Sequence, residues 1–172
     1  RELFMVLSKD SAEEINLQNI SREIGLSVIT IKKYLEILNK MFLHSCVFKD
    51  TDLREQLMSF KKGFIGSLNL ARVTLNRDYH SLENVEMGHV IETFVYNELV
   101  KNNFSSIFFY ADKRIKKEVD FVVVENGKKI PIEVKIAEKI ENRKLNNLLF
   151  YAKKNKLNKA MMIYGGEKAE ER

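Results

Sequence analysis

Residues Glu118 to Lys135, EVDFVVVENGKKIPIEVK, restrict the fold more than any other stretch. Two apolar runs flank Asn126-Gly127, the dipeptide most favoured at a two-residue hairpin loop because both residues accept positive φ. Counting outward from that loop pairs Asp120 with Glu133 and Glu118 with Lys135. Strand alternation then sends Val119, Phe121, Val123, Ile130, Ile132 and Val134 to one face, and Glu118, Asp120, Glu133 and Lys135 to the other. The expectation is a β-hairpin with one core face and one functional face.

Directly opposed residues have Cβ atoms about 5 Å apart, where like charges destabilise a pair. Two carboxylates at that separation repel by roughly 3 kcal/mol at an effective dielectric near 20. A hard divalent cation taking oxygen ligands offsets this, with Lys135 adding positive charge. A solvated polar face, with Lys135 in ion pairs, is the other reading of the same residues.

The chain has 172 residues, enough for one domain or two small ones. With 45% apolar and 31% charged residues it reads as globular, and no apolar run approaches the roughly 20 residues of a membrane span. Its net charge of +5 permits a polyanionic partner without requiring one. Cys46 is the only cysteine, which excludes an internal disulfide or a cysteine zinc site and suits a reducing cytoplasm. No signal peptide is legible. The start, RELFMVL, resembles the inside of a helix, as expected of a piece of a longer chain. Neither GxxxxGK[ST] nor GxGxxG occurs, so no nucleotide site is expected.

Residues 1–45 read as helices. Leu3, Phe4, Val6 and Leu7 form a first stripe, and Leu17, Ile20 and Ile24 a second ended by Gly25. Ser27 caps a third helix carrying Ile31, Tyr34, Leu35 and Leu38. The layout INLQNISREIGLSVITIKKYLEIL is the helix-turn-helix pattern. In a DNA-binding version Thr30, Lys32 and Lys33 meet phosphates or base edges, whereas in a packing module they are merely solvated. Leu43 to Phe48 is a following strand, as in a winged helix, and Lys49 to Glu55 a turn or wing. Lys61, Lys62 and Gly63 lead into an apolar segment, Phe64 to Leu70. The polar stretch NRDYHSLENVE marks a connection, dividing the chain into residues 1–75 and 76–172. His80 and His89 lack metal-ligand partners at helical spacing.

A helix over Met87 to Asn102 has Val90, Ile91, Phe94, Val95 and Leu99 on one stripe. Glu98 falls within that stripe and Glu92 at its edge, positions costly for an unpaired carboxylate. Glu98 is therefore expected to be buried and hydrogen-bonded or ion-paired. Phe104 to Tyr110 reads as a strand. Leu145, Leu148, Leu149 and Ala152 indicate a later helix, with Lys144, Lys153, Lys154 and Lys156 outward. Lys159 to Tyr164 reads as a short buried strand before Gly165-Gly166. This order gives an α+β or α/β fold, a mixed sheet flanked by helices.

With Glu92, Asp120 and Glu133-Val134-Lys135 in place, the second half resembles the PD-(D/E)xK nuclease superfamily, over about residues 86–165. ETFVYNELVKNNF and VDFVVVENGKKIPIEVK look in particular like archaeal Holliday junction resolvases. The succession ISREIGLSVITIKKYLEIL, GHVIETFVYNEL, EVDFVV and PIEVK is similar to the C-terminal part of a group of prokaryotic AAA-type ATPases. There an ATPase module precedes a winged helix and a nuclease-like domain. The resemblance implies a restriction-endonuclease-like sheet after the winged helix, with ATP bound only in the absent module. It implies Asp120, Glu133 and Glu92 as ligands of Mg²⁺ or Mn²⁺, and Lys135 as the lysine that positions or activates water. Relatives tend to carry an arginine soon after the aromatic strand, whereas here Tyr110-Ala111-Asp112 fills that place and Lys113 and Arg114 follow.

The expected activity is metal-dependent hydrolysis of a DNA phosphodiester. The rival is a non-catalytic module that binds DNA or protein, or mediates assembly with the parent ATPase. The expected partners are DNA and that ATPase module, with self-association open and no membrane.

Overall fold

The computed structural model describes residues 1–78, 82–104, 106–136 and 145–165. His80, Lys144 and Gly166 lie outside the described residues. Helices α1 (Glu2–Lys9), α2 (Leu17–Ile24) and α3 (Val28–Lys40) come first, where helical spacing predicts them. Gly25 ends α2 at φ 67°, and Ser27 starts α3 by accepting the Thr30 N–H. Strand β1 (His44–Lys49) follows. The stretch read as a turn or wing instead contains α4 (Leu53–Met58), because Asp52 accepts the Glu55 N–H and nucleates a helical turn.

Beyond it lie β2 (Lys62–Ile65), α5 (Leu68–Leu75), α6 (Asn84–Lys101), β3 (Ile107–Asp112), β4 (Lys117–Glu125), β5 (Lys128–Lys135), α7 (Asn146–Lys154) and β6 (Met161–Tyr164). The strands form one mixed sheet in the order β2-β1-β3-β4-β5-β6, so it runs across residue 75. Strand pairs β1–β3 and β5–β6 are parallel and the rest antiparallel. Residues 12–15 cover the outer edge of β2: Ala12 N–H donates to the Gly63 carbonyl at 2.7 Å, and Ile15 N–H to that of Lys61 at 2.8 Å. Pairing this edge leaves Lys62 inside the fold, at 6% exposure.

The hairpin register is the one the loop predicts. Asn126 and Gly127 take φ of 51° and 74°, and pairing runs from Glu125–Lys128 to Phe121–Ile132. The division of faces is not. Between the pairs Phe108–Val122 and Tyr110–Val119, β4 carries two residues, Asp120 and Phe121, against the single Phe109 of β3. This β-bulge reverses the alternation. Phe121, Val123, Ile130, Ile132 and Val134 pack with Phe64, Val95 and Tyr96, the Phe64 and Tyr96 rings stacking at 4.4 Å. Val119 instead joins Val122, Tyr110, Leu148 and Tyr151 under α7. Both faces are therefore core, and the charged residues collect at the hairpin's open end.

Helix stripes also rotate relative to their spacing. Phe94, Leu149 and Tyr34 are exposed, while Tyr96 and Tyr151 are buried. Strand β6 is only half-buried, with Met161 exposed. Among the described residues no helix is long and apolar enough to cross a membrane.

His44 on β1 is 1% exposed and neither ring nitrogen has a hydrogen-bond partner. Burial lowers its pKa from 6.5 to about 4. The unfolded chain therefore binds the extra proton first, and stability falls as pH drops through that window. At 1.36 kcal/mol per pKa unit the loss is about 3 kcal/mol. Urea unfolding at pH values across this range should show His44→Leu losing about 3 kcal/mol less than the wild type. Parallel profiles would show that His44 does not titrate on unfolding.

Candidate functional site

Charge is delivered to the open end of the hairpin by four elements: Glu118 and Asp120 from β4, Glu133 and Lys135 from β5, Glu92 from α6 and Lys62 from β2. In the hairpin register, the Val134 N–H would meet the main chain of Val119. The bulge removes that partner, and Asp120 Oδ2 accepts the Val134 N–H at 2.7 Å. Asp120 is thus fixed by the main chain of the strand that carries Glu133 and Lys135. Lys135 Nζ lies 2.6 Å from Glu133 Oε1 and 3.9 Å from Asp120 Oδ2, joining the two acids that the register sets side by side.

The carboxylates are not solvated: Asp120 is 9% and Glu133 3% exposed. Asp120 and Glu133 therefore do not form a solvated face, while Glu118 is exposed and Lys135 is ion-paired. Glu133 Oε2 is buried and without a hydrogen-bond partner. Burial, and then the charge of Asp120, push the Glu133 carboxyl up to about 7 against the pull of Lys135. Burial likewise raises Asp120, opposed chiefly by Lys135. An excess of buried negative charge facing an orphaned oxygen is an environment that favours a cation or a proton.

Glu92 sits on the buried side of α6, and its position is tied to β2. Asn97 Nδ2 donates to the Ile65 carbonyl at 3.1 Å, and Ser11 Oγ bridges Thr93 Oγ1 and the Ile65 N–H. The partner of Glu92 is Lys62, whose Nζ lies 2.9 Å from Glu92 Oε1 and 2.8 Å from Glu118 Oε1. Glu118 accordingly does not meet Lys135, as the hairpin alone predicts. Burial pushes Glu92 up to about 8 despite the Lys62 charge. Burial alone would lower the Lys62 pKa, but Glu92 and Glu118 reverse that and hold it above the usual lysine value. Lys62 and its pairing escape sequence reasoning because no local pattern links a lysine in KKGFI to acids on α6 and β4.

Among the described residues no three His, Cys, Asp or Glu side chains gather as a metal-holding group. The Asp120–Glu133 pair fits a hard cation by its oxygen donors and the orphaned Glu133 Oε2, since Mg²⁺ needs only one or two carboxylates with waters. A cleft of about 400 Å³ lined by Gly88, Glu92, Asp120 and Lys135 leads to it. His89 faces Glu13 at 3.5 Å. Glu98 is ion-paired with Lys101 at 2.6 Å, but its side chain is 41% exposed, because the rotated stripe leaves it at the helix margin.

The remaining site residues stand apart from the acids. Lys113 pairs with Glu14 at 2.7 Å and Arg114 with Asp112 at 3.5 Å. Both line a groove of about 680 Å³ with Lys49, Tyr110 and Lys154. Thr30, Lys32 and Lys33 lie on α3, where Thr30 Oγ1 shares a hydrogen bond with Ser27 Oγ. Around these residues α3 exposes Ile29, Tyr34 and Ile37.

No curated protein and no solved structure matches the chain. A family model described as "Domain of unknown function (DUF4143)" matches residues 87–172. That segment holds Glu92, Asp120, Glu133 and Lys135 but not Lys62. On this match to half of its length, with most of α6, the hairpin and the acid pair inside it, the chain belongs to the DUF4143 family.

Proposed function

We propose that residues 76–172 form a restriction-endonuclease-like domain of the PD-(D/E)xK kind that hydrolyses DNA phosphodiesters, and that α2, α3 and the β1–β2 pair are a winged helix. On this reading the chain is the C-terminal part of an AAA-type ATPase, whose nucleotide site lies in the preceding module. The supporting observation is the convergence of the buried Asp120 and Glu133 with the partly exposed Lys135. Asp120 and Glu133 would hold Mg²⁺ or Mn²⁺, which when bound supplies neutralisation of phosphoryl charge and acidifies water.

The chain's own residues do the rest. Asp120 is oriented by the Val134 N–H, so its carboxylate needs no rearrangement to act. Lys135 Nζ, beside Glu133, is placed to donate to an attacking water or to developing negative charge on phosphate. Lys49, Lys113, Arg114 and Lys154 line a separate groove, where Glu14, Asp50, Glu55 and Asp112 balance their charge.

The purified chain, titrated with Mn²⁺ by calorimetry, should take up the ion, and branched or duplex DNA should be nicked when Mn²⁺ or Mg²⁺ is added. Absence of binding heat together with intact DNA would sink the enzymatic reading. A second reading, an assembly module docked on the ATPase, is favoured by the apolar exposure of Ile29, Tyr34, Ile37, Met41 and Phe42.

A further inference from the structure

We infer that Lys62 is a positioning residue of the acid site, its ammonium serving as a built-in second cation. On this account the site takes a single divalent ion, at Asp120 and Glu133. The inference rests on the functional reading above. Four carboxylates lie at the hairpin's open end, although no three of them gather around one point. The structure divides them into two pairs. Lys135 lies along Asp120 and Glu133, at the edge of the cleft and partly exposed. Lys62 lies between Glu92 and Glu118 at 2.9 and 2.8 Å, with only 7% of its side chain exposed.

Its position is not adaptable. The β2 backbone is held on one side by β1, through Val47–Lys62, and on the other by residues 12–15. The Nζ also lies 5.8 Å from the Phe109 ring centroid, a contact that favours positive charge. In two-metal phosphodiesterases the ions sit about 3.5 to 4 Å apart and share bridging acids. Here the acids that would hold a second ion already have a fixed ammonium. The residue supplying it comes from the β1–β2 pair, outside the segment that the DUF4143 model matches. The acid site is therefore composite, and a fragment lacking the first 75 residues lacks one of its cations.

The test is a Mn²⁺ titration of the whole chain, followed by calorimetry and by electron paramagnetic resonance of free Mn²⁺. The wild type should bind one ion. Glu118→Gln, at a half-exposed position, and Glu92→Gln should each keep that stoichiometry with affinity within about threefold, whereas Asp120→Asn should lose it more than about 100-fold. Lys62→Gln should admit a second, weaker ion that disappears again in Lys62→Gln/Glu92→Gln, and Lys62→Arg should remain at one. Two ions in the wild type, or an Asp120-like loss in Glu118→Gln, would overturn the role of Lys62 while leaving the hydrolase reading intact. No uptake by the wild type would overturn both. If Lys62→Gln does not fold, the Glu118→Gln and Lys62→Arg titrations decide the question.

Discussion

Replacing Glu133 by Gln should weaken Mn²⁺ binding by more than about 100-fold and stop DNA cleavage, while making the chain more stable at alkaline pH. Both halves of this result come from burial. Glu133 is 3% exposed, and one of its oxygens has no hydrogen-bond partner. Its pKa rises from 4.5 to about 7 in the folded chain. A carboxyl raised in this way contributes stability that is fully present below the unfolded value and is lost as pH climbs through the folded one. Above about pH 8 the wild type therefore carries a penalty of about 3 kcal/mol, at 1.36 kcal/mol per pKa unit. Glutamine does not titrate, so the variant escapes it. Lys135, at 36% side-chain exposure, can turn to solvent when its partner is neutralised. Chemical denaturation of both proteins at about pH 5 and about pH 8.5 measures the effect. A variant that binds Mn²⁺ normally, or whose stability advantage does not grow with pH, would show that Glu133 is not the strained member of this pair.

Lys62→Met should be the most damaging single change in stability. Removing one partner of a buried ion pair leaves an uncompensated charge, at a typical cost of about 3 to 5 kcal/mol. Lys62 has two such partners, Glu92 and Glu118, of which Glu92 is buried and cannot rehydrate, while Glu118 is half-exposed and can. The expected fall in melting temperature is on the order of 10 °C for a chain of this size. The fate of Glu92 gives the result its signature. Burial pushes Glu92 up to about 8 against the pull of Lys62, and removing that ammonium raises it further. The deficit should therefore be smaller at about pH 6 than at about pH 9, and adding Glu92→Gln should recover roughly 0.5 to 3 kcal/mol of coupling energy. Denaturation of the four proteins of this cycle, at the two pH values, provides the measurement. A pH-independent deficit with additive energies would mean that Lys62 acts through packing alone.

The two lysines separate what was legible in the sequence from what was not. Lys135 was legible: Asn126-Gly127 fixes the hairpin, and simple counting then sets Asp120 beside Glu133 and Lys135 one pleat further on. Local rules suffice there because turn chemistry and strand alternation act between near neighbours. The same rules locate α2 and α3, whose caps are local, and find α6 while misplacing its buried face. They fail at the bulge, because an extra residue in β4 exists only relative to β3, and so they misassign Val119 and give the hairpin one polar face.

They fail more completely at Lys62. Only the continuous sheet, with residues 12–15 closing the edge of β2 and α6 packed across it, brings that ammonium to Glu92 and Glu118. By itself the sequence determined the hairpin, its register and the juxtaposition of Asp120, Glu133 and Lys135. The tertiary structure decided which acids are buried, which ammonium each one faces and that strands from both sides of residue 75 build the same sheet. The physical reason is that register follows from backbone geometry over a few residues, whereas burial and ion pairing depend on segments that only folding brings together.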